Sequence, residues 1–203
     1  MKNKVINKVL IALGFSGLNE DEDASDNILA YIDSLRDNNK YKVITKADIN
    51  QLEGVDLISA VYDNLVYNSP RDYRREFGYV KDELNESRRD VYAIWSWEGE
   101  INNGGFNQFY VNQSGQYATM LPHLLSLIGA HNFARLMSRA NDIYISNVDA
   151  RTKFQDGSIE GFSRSYDGNP LNKLDDEFYD MNSNEELIKY QENYIRSHID
   201  QFT

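Results

Sequence analysis

Four carboxylates fall within six residues near the C-terminus: Asp175, Asp176, Glu177 and Asp180, with Lys173 the nearest base. DNA carries one charge per ~3.4 Å along each strand, and acids four apart on a helix stand ~6 Å apart along its axis, a comparable density. Such a row can fill a basic groove in place of phosphates. It can equally be a solvated helix start, where the macrodipole favours negative charge. A second candidate is Glu98 with the amides Asn103, Gln108 and Asn112. At about 100° per residue, Val91, Ile94, Trp95, Trp97 and Ile101 form one apolar stripe, with Glu98 in its middle and Glu100 well outside it. A carboxylate on an apolar face must be paired or functional. Beside amides it is a candidate general base. Its structural alternative is to accept hydrogen bonds from exposed amides at the corner that follows, with Gln108 and Asn112 capping neighbouring helix ends. The absence of a nucleophile with a base favours the structural role, and Asn102-Asn103-Gly104-Gly105 lacks the spacing and lysine of a phosphate loop.

Other reactive types are sparse. There is no cysteine, which removes disulfides, thiolate metal sites and cysteine nucleophiles, and fits a reducing cytoplasm. His123, His131 and His198 show no metal-ligand spacing, so neither a metal nor any other cofactor is expected. Arg71, Arg74, Arg75, Arg88 and Arg89 are interleaved with Asp72, Glu76, Glu86 and Asp90, which reads as a solvated helix face and not a nucleic-acid patch. Glu185 and Glu192 each precede a base by four residues, Lys189 and Arg196, the favourable order for a helical pair.

The elements that must position these groups read as helices. The run Met1 to Gly17 is too short and too poorly flanked for a signal peptide and places Val5, Val9, Leu10 and Leu13 on one helical face. An acidic connector, Glu20 to Asp23, leads to a helix carrying Ile28, Tyr31, Ile32 and Leu35. Tyr41 to Ile44 reads as a short strand or a loop, and a third helix carries Leu57, Val61 and Leu65 and ends before a turn at Ser69-Pro70. From Leu84 to Asn112 the pattern is a helix, a two-glycine corner at Gly104-Gly105, and a second short helix with Phe106, Phe109 and Tyr110. Two further helices carry Met120 to Ile128, with Pro122 kinking or starting the first, and Phe133 to Ile143. Val148 to Pro170 reads as a long loop. The last helix opens with a capping box, Ser183 with Glu186, and buries Leu187, Tyr194, Ile195 and Phe202, with Tyr190 beside them.

The chain has 203 residues, enough to bury ~70% of its unfolded surface without a disulfide or metal. Its 21 basic and 32 acidic residues give a net charge of −11, which repels nucleic acid and anionic membrane. No segment approaches the ~18 apolar residues of a membrane span. The expected fold is all-α: a helical extension over residues 1–56 and a helical domain over 57–203.

The stretch from Glu98 to Asn112 resembles a bacterial domain-of-unknown-function family with the signature Asn-Gly-Gly-Phe-x-Gln, two aromatics, x-Asn. The matching positions are Asn103, Gly104, Gly105, Phe106, Gln108, Phe109, Tyr110 and Asn112, and Glu98 lies in the glutamate-rich helix end before them, about two turns ahead of the corner. Ile128-Gly129-Ala130 and Leu174 to Tyr179 are similar to later blocks of the same domain. The best-known activity in that family is DNA mimicry by an acidic helical dimer that covers the DNA-binding face of a transcription factor. The resemblance implies a non-enzymatic, cytoplasmic, homodimeric interaction protein for a transcription factor or nucleoid protein, with Asp175, Asp176, Glu177 and Asp180 as phosphate surrogates. An immunity-type inhibitor of a basic toxin such as a nuclease has the same electrostatics, and an enzyme using Glu98 is the third reading.

Overall fold

Residues 40–68, 85–147 and 158–203 are described by a computed structural model. The expected helices near Val5 to Leu13 and Ile28 to Leu35, the acidic connector, the turn at Ser69-Pro70, and Arg71, Arg74 and Arg75 lie outside these residues. Among the described residues all regular structure is helical, as the periodicity predicts: α1 (Lys46–Gln51), α2 (Gly54–Asn68), α3 (Glu86–Val111), α4 (Leu121–Leu127), α5 (His131–Ser146), α6 (Ile159–Arg164), α7 (Asn172–Glu185) and α8 (Leu187–Ser197), with 3-10 turns at Gln113–Tyr117 and Ile199–Gln201.

Local chemistry sets the ends. Thr45 and Asp48 form a reciprocal capping box at α1, the Asp48 carboxylate accepting from Thr45 N–H at 2.8 Å. Asn85 caps α3 by accepting from Arg88 N–H at 2.9 Å. Pro122 lies in the first turn of α4, where its missing N–H costs nothing, so it starts that helix. No strand forms at Tyr41 to Ile44, because the amides of Asn64 and Asn68 on α2 take the carbonyls of Tyr41 and Lys42 that a neighbouring strand would need. The expected loop before Pro170 contains α6, whose six residues are too few to register as a period; Ser158 caps it by accepting from Gly161 N–H at 2.9 Å.

The capping box expected at Ser183 and Glu186 does not form. Ser183 lies inside α7 and turns its hydroxyl back to Asp180 O. Glu186 sits at φ 50°, the left-handed break between α7 and α8, and Asn182 Oδ1 accepts from Leu187 N–H at 2.9 Å instead. The expected Glu185 to Lys189 pair is likewise replaced. Glu185 accepts from Asn132 on α5, and Lys189 pairs with Glu186.

α3 runs through the core and packs against α2, α4, α7 and α8. Its Trp97 lies edge-on to Phe178 of α7 at 5.3 Å between ring centres, and Phe133 of α5 meets the same Phe178 at 5.8 Å. Each of these three rings is fully buried and contributes ~1.5–3 kcal/mol. Tyr62 of α2 stacks on Tyr92 of α3 at 5.6 Å. α8 holds the N-terminal side: Glu192 accepts from Gly54 N–H at 3.1 Å, and Arg196, paired with Glu192 as its spacing predicts, donates to Leu52 O at 2.6 Å. Ile44 and Ile49 enter the same core as Leu57 and Leu65.

Candidate partner-binding surface at the two-glycine corner

The corner in α3 is real and its geometry explains the glycines. Gly105 has φ 72° and ψ −174°, a region that only glycine occupies without strain. A Cβ there would lie 2.6 Å from Asp175 Cγ. The break leaves backbone groups of α3 without helical partners, and the chain around α7 supplies them. Asp175 Oδ1 accepts from Phe106 N–H at 2.7 Å, Tyr166 donates its hydroxyl to Gly104 O at 2.8 Å, and Tyr179 donates to Ile101 O at 2.8 Å. Asn107 adds a fourth tie, donating to Ser165 Oγ at 2.6 Å.

Glu98 is buried, as its place in the stripe predicts, yet it does not serve the corner. It accepts from Gln191 Nε2 on α8 at 2.8 Å, and the Asn182 amide of α7 lies near enough to favour its charged form. Gln108 and Asn112 turn instead to Glu100, the acid that the helical wheel sets aside. Glu100 Oε2 accepts from Gln108 Nε2 at 2.7 Å and Asn112 Nδ2 at 2.8 Å, and its Oε1 accepts from Ser114 Oγ at 2.9 Å. The expected constellation of Glu98, Asn103, Gln108 and Asn112 is therefore not assembled: Asn103 is exposed, and the other two amides stitch Glu100 to the chain beyond the corner. Phe106 and Phe109 are core residues, and Tyr110 stacks on Tyr144 while donating to Asn141 Oδ1 at 2.7 Å.

The four acids of α7 divide into two kinds. Asp175 is half-buried over Gly105. Burial pushes its carboxyl up to about 6, against the lowering effect of the Phe106 N–H bond and with Asp176 adding to the rise. Glu177 forms a two-bond pair with Arg139 of α5, one bond being 2.7 Å, and this pair holds its carboxyl below the usual range. Asp176 and Asp180 are exposed, one turn apart, and carry no ion pair among the described residues. Tyr179, 44% exposed, lies between them in sequence.

The basic groups also differ from expectation. Arg88 is half-buried and donates to Gln201 O at 2.7 Å, and Asp90 is buried, accepting from Tyr194 at 3.0 Å, so this part of the arginine segment is packed instead of solvated. Among the described residues no group of three or more His, Asp or Glu side chains could hold a metal ion, and no helix is long and apolar enough to cross a membrane.

A protein-family model described as DMP19-like protein matches residues 82–198, more than half of the chain and the whole run from α3 to α8. No curated protein and no solved structure matches the chain.

Proposed function

This chain belongs to the DMP19-like family, and from that premise we propose that it works as a DNA mimic. In this reading it is an acidic helical protein that covers the DNA-binding surface of a transcription factor or nucleoid protein. A net charge of −11 steers it toward basic surfaces and away from phosphates. The observation that carries the reading is the division of the acids on α7. Asp175 is engaged at the corner and Glu177 is paired with Arg139 at the surface, which leaves Asp176 and Asp180 to meet cations from outside at a spacing of ~6 Å. Of the engaged pair, Glu177 is neutralised by Arg139, and only Asp175 adds negative charge to the same helix. The reading includes no catalysis and no cofactor, and takes the protein as a cytoplasmic homodimer.

The test is a pull-down from native lysate at low salt, eluted by raising salt and identified by mass spectrometry. The expected catch is a DNA-binding protein. The double variant Asp176→Asn, Asp180→Asn changes only exposed groups and is expected to weaken capture about tenfold, roughly 0.7 kcal/mol per charge and within the range of exposed pairs. Recovery of a basic toxin would replace DNA mimicry with the immunity reading. Capture that survives high salt would contradict an electrostatic interface.

A further inference from the structure

A fully buried amide with an unmet carbonyl calls for a donor. Gln191 on α8 has no solvent exposure; its Nε2 donates to Glu98, and its Oε1 has no donor among the described residues. Glu98 on α3 is 8% exposed. Among the described residues, the groups that act on it from the elements packed against it are two neutral amides, Gln191 from α8 and Asn182 from α7, and no cation. Ionised, Glu98 would be a buried charge compensated by amides alone, and the carbonyl of Gln191 would stay empty. A protonated carboxyl removes both difficulties at once. An acid and a primary amide close a ring of two hydrogen bonds, amide N–H to acid C=O and acid O–H to amide C=O.

We propose that Glu98 is a neutral carboxylic acid at neutral pH and closes this ring with Gln191, so that one proton joins α3 and α8. Burial pushes the Glu98 carboxyl up, and the two amides only partly oppose it. Asn182 stands beside the joint, and its own Oδ1 holds Leu187 N–H at the start of α8. Alkali takes the proton to form water and leaves a carboxylate; the Gln191 N–H bond remains, but Gln191 Oε1 loses its donor. The joint is therefore a proton-linked latch between α3 and α8, with Asn182 of α7 beside it. It is a property of the fold and stands apart from what α7 binds.

The test is infrared spectroscopy of the full chain labelled with carbon-13 at the glutamate side-chain carboxyls. Glu177 and Glu192 are held low by Arg139 and Arg196, which sets Glu98 apart. A protonated-carboxyl band is expected at neutral pH, disappearing on alkaline titration and absent from Glu98→Gln. Should that variant not fold, Gln191→Met keeps Glu98 and removes the amide, and the band is expected to shift. The absence of a protonated band at neutral pH would overturn the proposal. A band unmoved by Gln191→Met would overturn the ring.

Discussion

Asp175 is the acid whose charge the fold accommodates at a cost, and Asp175→Asn measures that cost. Burial pushes its carboxyl from 3.8 up to about 6. At ~1.4 kcal/mol per unit the gross penalty of ionisation is ~3 kcal/mol. The group is only half-buried, and solvent screening reduces this to ~1 kcal/mol. The sign follows from the direction. A folded-state value above the unfolded one means that the folded protein binds the proton more tightly, so stability rises as pH falls from above 6 toward 4. Asparagine has nearly the same shape, keeps an oxygen for Phe106 N–H, and carries no charge. Asp175→Asn is therefore expected to be about 1 kcal/mol more stable than the parent at pH 7, with the difference vanishing near pH 4. Urea unfolding followed by far-ultraviolet circular dichroism at the two pH values reads both quantities. Asp90 and Glu98 are also pushed up by burial, but they are common to both proteins and cancel in the difference. A variant that is less stable at pH 7 by 1 kcal/mol or more, with no convergence in acid, would refute the reasoning and assign the corner's strength to the charge itself.

Gly105→Ala is expected to cost more than ~2 kcal/mol in the same unfolding assay, because its φ of 72° is strained for alanine and the new methyl meets the Asp175 carboxylate; a loss below ~1 kcal/mol would contradict the corner geometry. Glu100→Ala strands Gln108, Asn112 and Ser114 and is expected to cost about 2 kcal/mol, read by denaturant titration, whereas the buried Glu98 contributes nothing to those three partners. Glu177→Gln breaks an exposed pair with Arg139 and is expected to change stability by less than ~1 kcal/mol, so a thermal melt close to that of the parent is the predicted result.

The corner was legible because two adjacent glycines interrupt an otherwise continuous apolar stripe, and the burial of Glu98 followed from its angle on the wheel. The role of Glu100 was not legible by the same device. A helical wheel assumes an unbroken axis, and beyond Gly105 the chain changes direction, so residues 8, 12 and 14 positions later come back to Glu100. A carboxylate followed by Gln, Asn and Ser across a corner was the available signal. The acidic run on α7 was legible as a run, but its division was not. Which acid turns inward depends on Phe106 and Arg139, 69 and 38 residues away. Ser183 and Glu186 had the right types and spacing for a cap, yet a cap needs an extended residue, and α7 continues through Ser183 until the left-handed Glu186. Long-range partners decide such cases, and they leave little trace in local spacing.

The most direct test of DNA mimicry is competition. The DNA-binding protein recovered by the chain is loaded with a labelled DNA duplex, the chain is titrated in, and release is followed by fluorescence anisotropy at several salt concentrations. Full displacement of the duplex, weakening steeply as salt rises and less effective for the Asp176→Asn, Asp180→Asn variant, is the predicted result. A ternary complex in which the partner holds DNA and this chain together, or an affinity indifferent to salt, would contradict the account.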